Sequence, residues 1–239
     1  GMSDHTQVPL HDLGADGSLT PEYVGRKFSS EMFADSTIEF LQNRDRDKPF
    51  FAYVAFTAPH DPLFFPPGFE RRYAADQMPL PPNFLPQHPF DHGNLRGRDE
   101  LLWPFPRTPA DVRDELAAYY AVISHMDQQI GRILQTLRET GLSDKTLVIF
   151  ASDQGLAIGS HGLRGKQNMY EHTINVPLVV CGPGIPAGQR RDASCYLRDL
   201  FPTVCELTGI EPPAIEGRSL VPVLRGQQDE VYPFIVGYF

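Results

Sequence analysis

The feature that most constrains the fold is a pair of short apolar runs separated by one long amphipathic segment. Residues 50–56 are seven consecutive apolar residues, and residues 146–151 form a second run of this kind. Runs of this length are typical of strands that are buried on both faces. Between them, Thr108 and Asp111 mark a helix start of the capping-box type, and Gly141 ends the helical pattern. Strand, helix and strand in this order predict a βαβ unit, whose two strands are parallel.

Two further elements extend this unit. Residues 176–181 are a third strand candidate that ends at a glycine-proline turn. Near the amino end, Thr20–Glu22 has the N-cap, the first-turn proline and the acid of a helix start. The sequence therefore predicts an α/β fold with a mostly parallel central sheet. The residues that follow the first two strands then emerge at one sheet edge, where open α/β sheets bind ligands.

Charge and composition exclude several classes of protein. The chain has 21 Lys and Arg against 30 Asp and Glu, a formal net charge of -9, so the basic footprint of a nucleic-acid-binding protein is missing. No apolar run approaches the roughly 18 residues of a membrane span. Cys181, Cys195 and Cys205 include no Cys-x-x-Cys pair, so they indicate neither a disulfide framework nor a cysteine-type zinc site. We expect no nucleic-acid partner and no membrane span.

The connection of residues 57–107 is much longer than the roughly 2 to 6 residues usual between strands and helices of α/β proteins. It holds 11 of the 23 prolines and eight aromatic side chains. This composition predicts a stiff folded loop with a small core of its own rather than a disordered linker. The aromatic side chains either form a wall of a substrate site or pack within the domain, which is at least as common for each one taken singly.

His60 is the first candidate for chemistry, because it comes shortly after the first strand. Prolines on both sides of the His60–Asp61 pair restrict the backbone there. Histidine is the side chain best suited to give or take a proton near neutral pH, so His60 is a candidate general acid or anion donor. A loop histidine that only caps a carbonyl explains the local sequence equally well.

Asp153 and Gln154 follow the second strand in the same manner. Their carboxylate and amide oxygens are hard ligands of the kind that Ca²⁺ prefers. Because Ca²⁺ takes about 6 to 8 oxygens, the pair would supply only part of a site. The alternative is that Asp153 caps a turn, which is the more common role of Asp in a Ser-Asp-x-Gly stretch. The spacing leaves both interpretations open.

The segment Gly159–Lys166 has the composition of an oxyanion clamp. It holds three glycines and the side chains of His161, Arg164 and Lys166 within eight residues. Glycine lets the backbone approach a ligand closely, and Lys and His donors stabilise charge that develops on a sulfuryl or phosphoryl group. A solvated glycine loop is the alternative, and for Arg164 we expect a solvated position. Glu171 either pairs with a cation of this loop or faces solvent.

In this order, the motifs resemble the later half of the type I sulfatases, a family of the alkaline-phosphatase superfamily. The similarity extends over roughly residues 23–225, and ordered motifs together are far more specific than any one of them. The resemblance implies a partial three-layer α/β/α sandwich with a mostly parallel central sheet. The matching segments are Thr57–His60, Phe150–Gly155, Gly159–Gly162, Gly165–Lys166, Tyr170–Glu171, Val176–Leu178, Gly182–Gly184, Asp199–Thr203 and Leu207–Gly209.

The resemblance also implies a hydrolase of sulfate monoesters and a role for each candidate residue. His60 would hydrogen-bond the ester oxygen and protonate the leaving alcohol, and Lys166 would bind the sulfate. Asp153 and Gln154 would be Ca²⁺ ligands, although the family usually has Asn or His at the position of Gln154. His161 matches a position near the substrate. The expected ligands are therefore a sulfate ester or inorganic sulfate, with Ca²⁺.

Two signatures of that family do not occur in the printed sequence. The family makes a formylglycine from the first residue of a Cys/Ser-x-Pro-x-Arg motif, and an earlier Asp-Asp pair binds its metal; both motifs are missing. Cys181 begins a Cys-x-Pro without the Arg, at the end of a predicted strand, so we reject it as the nucleophile. We expect that residues 1–225 are the later half of a catalytic domain and that residues 226–239 begin a C-terminal subdomain. Both ends are then truncated, and the chain alone is expected to be inactive.

Three functions remain open from the sequence. The first is a sulfatase whose full-length form cleaves sulfate esters by covalent catalysis. The second is a phosphodiester or phosphonate hydrolase of the same superfamily, and the third is a non-catalytic remnant that binds an anion or a partner. Exposed sheet edges in a truncated fold predict a homodimer or higher oligomer. The sequence leaves the substrate and the localisation open, although related bacterial enzymes are often exported.

Overall fold

The computed structural model describes residues 5–14 and 16–237, which divide into two compact units. The first unit runs up to Asp91 and adds Arg96–Ser143 and Ile158–Arg164. The second joins His92–Leu95, Asp144–Ala157 and the residues from Gly165 onward. The predicted long helix therefore belongs to the first unit, and the two later strands belong to the second.

Helix α2 of the first unit, Pro109–Glu139, begins where the sequence predicts. The Thr108 hydroxyl accepts from the Asp111 N–H at 3.2 Å, and the Asp111 carboxylate accepts from the Thr108 N–H at 3.3 Å, which completes the capping box. After the helix, Gly141 has φ +72°, a conformation that favours glycine. The buried residues of α2 recur at helical spacing, which confirms the prediction of an amphipathic helix. The apolar ones are Val112, Leu116, Ala117, Ala118, Ala121, Val122 and Leu137.

Helix α1, Ser29–Asn43, starts later than the sequence predicts. The predicted start at Thr20–Glu22 is wrong, because Tyr23–Val24 forms a strand, β2, that pairs antiparallel with β1, Pro9–Leu10. The Thr20 hydroxyl accepts from the Asp12 N–H at 2.8 Å and so caps the turn between these strands. Helix α1 begins instead where its apolar face can pack on α2. Tertiary packing overrides the local capping signal here.

Residues 50–56 are extended but form no strand pairing within the described residues. Phe50 and Phe56 pack on aromatic side chains of α1, with ring centroids 5.8 and 6.3 Å apart. On the opposite face, Phe51 and Tyr53 are 78% and 83% exposed. The prediction of a strand buried on both faces is therefore wrong here. Burial of both faces requires a second covering layer, and α1 covers only one face.

The second unit is built on one antiparallel strand pair. Strand β3, Val148–Ala151, pairs with β4, Leu178–Cys181, with Ile149 opposite Val180. Both strands lie where the sequence predicts them. Three short helices complete this unit, and its apolar cluster is centred on the last of them. They are α3, Glu171–Ile174; α4, Leu200–Thr208; and α5, Val221–Leu224.

The α/β class predicted from the sequence is confirmed, whereas the direction of strand pairing is not as predicted. Both strand pairs found within residues 5–14 and 16–237 are antiparallel. The sheets of these residues have two strands each, β1 with β2 and β3 with β4, and residues 50–56 belong to neither. No helix in these described ranges is long and apolar enough to cross a membrane.

The interior of the long connection, residues 57–107, is polar rather than aromatic. It contains two 3₁₀ turns, Ala75–Gln77 and Glu100–Leu102. Trp103 is its one large aromatic side chain in the buried class among the residues described, and most of its other aromatic side chains stay partly exposed. The buried charged and polar side chains of this connection are Asp61, His88, Asp99, Glu100 and Arg107.

Candidate functional site

His60 lies at the end of the extended segment 50–56, in a turn that the first unit holds firmly. The His60 N–H donates to the Thr57 carbonyl at 3.0 Å, and the ring Nδ1–H donates to the Asp61 carbonyl at 2.7 Å. The ring is partly exposed. Because Nδ1 carries the proton of the neutral ring, Nε2 is the nitrogen that takes up or releases a second proton. The ring therefore caps a carbonyl, as one of the two sequence interpretations has it, and the role in proton transfer stays a prediction.

A buried histidine supports the backbone of this turn. His5 Nε2–H donates to the His60 carbonyl at 2.8 Å, and His5 Nδ1 accepts from the Ser29 hydroxyl at 3.1 Å. The Thr57 hydroxyl donates to the Ser29 hydroxyl at 3.2 Å. These bonds anchor the turn on the first residue of α1. Sequence reasoning missed His5, because its partners lie 24 and 55 residues away along the chain.

The Asp61 carboxylate lies beside the His60 ring and is almost fully buried, at 3% exposure. Oδ2 accepts from Arg98 at 2.5 Å, and Oδ1 lies 3.4 Å from His60 Nδ1. Burial works against ionisation of Asp61, but the Arg98 hydrogen bond and the charges of His60 and Arg164 outweigh it, so its pKa is lowered. Asp61 is therefore an anion next to the candidate acid.

His161 is fixed by residues of the long connection. It has φ +57°, its N–H donates to the Asn83 carbonyl at 2.9 Å, and its Nε2 accepts from the Asn83 amide at 2.9 Å. His88 Nδ1–H donates to the His161 carbonyl at 2.8 Å. A Cβ on the next residue, Gly162, would collide with the backbone of Gln87. The predicted close approach of a glycine backbone is present, but the backbone it approaches is the protein's own.

Arg164 is buried, so the expectation of a solvated position is wrong. Its guanidinium pairs with Glu115 of α2 at 2.5 Å, and the main-chain N–H of Arg164 donates to the Glu100 carboxylate at 2.9 Å. The same Glu100 oxygen accepts from Arg107 at 2.7 Å. Burial raises the pKa of Glu115, and the Arg164 charge opposes this rise only in part. Arg164 therefore bonds to acidic side chains from earlier in the chain, where the sequence predicted contact with solvent.

In the second unit, Asp153 and Gln154 directly follow β3. The exposed Asp153 carboxylate accepts from the N–H of the next residue, Gln154, at 2.9 Å. Gly155 then passes so close to the His172 carbonyl that a Cβ would collide with it. Within the described ranges no group of three or more His, Cys, Asp and Glu side chains is placed to hold a metal ion. The two residues fit Ca²⁺ in ligand type and would supply part of its coordination.

Lys166 lies half-buried in the second unit, between two backbone anchors. The Ala157 N–H donates to the Gly165 carbonyl at 3.0 Å, and the Asn168 N–H donates to the Lys166 carbonyl at 2.9 Å. Asn168 in turn accepts from the Thr173 hydroxyl at 2.9 Å and so ties the segment to α3. Asn168 was not predicted from the sequence.

Glu171 is exposed, and its carboxylate accepts from the Asn175 amide at 2.9 Å. Of its two predicted positions, solvent is therefore the one observed. The five predicted site residues divide between the units. His60 and His161 lie in the first, and Asp153, Gln154 and Lys166 lie in the second.

Solved structures show the class of protein to which this fold belongs. The phosphonate monoester hydrolase of Agrobacterium radiobacter is similar with a TM-score of 0.73 and 30% identity, over 83% of this chain and 42% of that one. The fold is therefore of the alkaline-phosphatase type.

Sequence comparison then gives the family. The family model described as Sulfatase matches residues 6–210, and the chain belongs to the sulfatase family. The choline-sulfatase of Rhizobium meliloti (strain 1021) is 33% identical over 90% of this chain and 44% of its own length. The N-sulphoglucosamine sulphohydrolase of Homo sapiens is 36% identical over 79% of this chain and 39% of its own length. The chain thus spans less than half the length of these relatives.

Proposed function

We propose that the protein to which this chain belongs hydrolyses sulfate monoesters. The observation that carries the proposal is the His60 ring in a chain of the sulfatase family, where the 2.7 Å bond from Nδ1 leaves Nε2 as the proton-transferring nitrogen. In this reaction sulfur forms a bond to the attacking nucleophile as its bond to the alcohol oxygen breaks, and water finally takes up the sulfuryl group as sulfate. The alcohol oxygen keeps the electron pair and takes the Nε2 proton, which leaves His60 neutral with Nδ1–H in place.

Lys166 and His161 are assigned to the sulfate and the substrate. The Lys166 ammonium donates hydrogen bonds to sulfate oxygens as negative charge develops on them. One well-aimed donor of this kind contributes on the order of 3 to 4 kcal/mol to transition-state stabilisation. His161, whose backbone is fixed by Asn83 and His88, is assigned to a position near the substrate.

Asp153 and Gln154 are assigned as two of the Ca²⁺ ligands. When bound, Ca²⁺ supplies Lewis-acid stabilisation of the negatively charged sulfate oxygens. The formylglycine motif Cys/Ser-x-Pro-x-Arg does not occur in the printed sequence. We therefore expect the 239-residue chain alone not to turn over sulfate esters. Residues 1–225 are assigned to the later half of the catalytic domain, and residues 226–239 to the beginning of a C-terminal subdomain.

The test compares leaving groups in a version of the protein extended to the length of its relatives. Protonation by His60 matters most when the alcohol is a poor leaving group. His60→Ala is therefore expected to lower kcat/KM far more for an alkyl sulfate than for 4-nitrophenyl sulfate. Lys166→Ala, the matched control, is expected to lower both by a similar factor. Equal losses for both substrates in His60→Ala would remove the acid role.

A phosphonate monoester hydrolase is the second candidate, and the similarity to the Agrobacterium radiobacter enzyme favours it. The same extended protein separates the two when it is assayed with a 4-nitrophenyl sulfate and a 4-nitrophenyl phosphonate monoester. Preference for the sulfate supports the sulfatase. Preference for the phosphonate supports this alternative, and tight sulfate binding without turnover of either supports a non-catalytic anion-binding protein.

A further inference from the structure

We propose that Asp61 is the positioning residue of His60, with its buried carboxylate held by Arg98 and ready to accept the Nδ1–H when the ring is protonated. The proposal rests on the assigned role of His60 as the acid. It adds two contacts between side chains, from Arg98 to Asp61 and from Asp61 to His60, and of these three residues only His60 touches the substrate.

One oxygen of the Asp61 carboxylate is unsatisfied. Asp61 Oδ1 is buried and has no hydrogen-bond partner within the described residues, although Oδ2 of the same carboxylate is bonded to Arg98. A buried carboxylate oxygen without a donor is costly and therefore uncommon, and such atoms in native proteins call for an explanation. The group that lies within reach is His60 Nδ1, 3.4 Å away.

Two acceptors of Asp61 lie near the His60 Nδ1 proton. His60 Nδ1–H now donates to the Asp61 main-chain carbonyl at 2.7 Å, so the carbonyl and the carboxylate of one residue lie beside one ring nitrogen. A small rotation of the ring transfers the hydrogen bond to Oδ1. A bond from an imidazolium to a carboxylate is stronger than a bond to a neutral carbonyl. The protonated ring is therefore the form that gains from Asp61.

Neighbouring positive charge keeps the Asp61 carboxylate ionised. Arg98 is 58% exposed on its side chain, yet it bonds two buried carboxylates, Asp61 at 2.5 Å and Asp99 at 2.7 Å. The charged groups that act on the Asp61 carboxylate are His60, Arg98 and Arg164, with Glu115 as the opposing acid. Arg98, Arg164 and a protonated His60 stabilise the carboxylate as an anion, which is the form that accepts a hydrogen bond from the ring Nδ1–H.

The experiment observes the His60 ring directly in the 239-residue chain, with ¹⁵N-labelled histidine and proton NMR at about pH 5, below the ordinary pKa of histidine. The Nδ1 proton signal is assigned by its disappearance in His60→Gln. We expect a strongly downfield, slowly exchanging signal in the unmodified protein. In Asp61→Asn the signal is expected to move upfield and exchange faster with water.

The matched control is Asp99→Asn. Asp99 is as buried as Asp61 and pairs with the same guanidinium, so this variant perturbs Arg98 equally without touching the ring. The His60 signal is expected to stay in place in this control. An unchanged signal in a folded Asp61→Asn, or equal shifts in both variants, would overturn the proposal. If Asp61→Asn does not fold, the test uses Arg98→Gln, because the Arg98 side chain is exposed. An upfield shift of the His60 signal in this variant supports the proposal, and an unchanged signal overturns it.

This readout does not depend on turnover. If the extended protein hydrolyses no sulfate ester while the Asp61→Asn shift is observed, the proposed function fails and the Asp61 contact stands. If hydrolysis depends on His60 as proposed while Asp61→Asn leaves the signal unchanged, the function stands and Asp61 has no positioning role.

Discussion

Removal of the Arg107 guanidinium should destabilise the first unit by several kcal/mol. The Arg107 side chain is fully buried, donates to the Trp103 carbonyl at 2.6 Å and to the Glu100 carboxylate at 2.7 Å, and stacks on the Phe105 ring at 3.8 Å. Burial lowers the pKa of Arg107, and the Glu100 charge opposes this. Arg107→Met would therefore leave the Glu100 charge buried without its main partner.

The magnitude follows from the loss of one partner of a buried pair, which costs about 3–5 kcal/mol. For a chain of this size each kcal/mol shifts Tm by about 2–4 °C, so Arg107→Met is expected to lower Tm by about 6–20 °C. Adding Glu100→Gln should recover part of this loss. Glutamine carries no charge, and its oxygen can still accept from the Arg164 N–H that now bonds the Glu100 carboxylate.

The assay is urea denaturation followed by tryptophan fluorescence. Trp103 is the single tryptophan of the chain and its carbonyl accepts from Arg107, so its fluorescence reports on the unit that is perturbed. The control is Lys48→Met in the same unit, because the Lys48 side chain is 78% exposed and its pair with Asp45 is worth about 0–1 kcal/mol. The reasoning is refuted if Arg107→Met unfolds within 1 kcal/mol of the control, or if Glu100→Gln destabilises Arg107→Met further.

Three further predictions concern single features. Gly162→Ala should lose more stability than Gly141→Ala by chemical denaturation: both have positive φ, costing roughly 1–2 kcal/mol, but only at Gly162 would a Cβ collide with backbone. The pKa of Asp61 is lowered in the fold, so its contribution to stability is present above the ordinary value of 3.8 and is lost as pH falls through the lower folded value; acid titration should therefore destabilise the unmodified protein more than Asp61→Asn. The chain should form a homodimer or higher oligomer, and light scattering that gives only the 26.8 kDa monomer at all concentrations would contradict this.

Elements with a complete local signal could be predicted from the sequence. Helix α2 is an example, because its capping box, its apolar spacing and Gly141 all lie within the element. The start of α1 could not be predicted, since Thr20–Glu22 has the right residues but the backbone after it pairs with β1. The burial of residues 50–56 also depends on which layers cover them, and the apolar composition alone does not contain that information.

In the candidate site, too, residues with a local sequence signal could be predicted and contacts between distant residues could not. His60, His161 and Lys166 are recognisable from motif order, and Gly162 from its place in the clamp segment. The contacts that hold them are not recognisable, because Asp61 pairs with Arg98 37 residues later and Arg164 takes its N–H acceptor, Glu100, from 64 residues earlier. A single sequence without such pairings gives no sign that Arg164 is buried.

These pairings explain why the connection of residues 57–107 is long and yet ordered. Within it, Arg98 bonds to the Asp61 carboxylate. The Asp99 carbonyl accepts from the Arg164 guanidinium, and the Glu100 carboxylate accepts from the Arg164 main-chain N–H. Asp61 directly follows His60, and Arg164 lies three residues after His161. Charged pairs with buried partners have strict geometric requirements, because each misplaced group would leave a charge uncompensated. The polar interior of the connection therefore fixes the backbone beside both histidines at once, which a core of interchangeable apolar side chains would do less strictly.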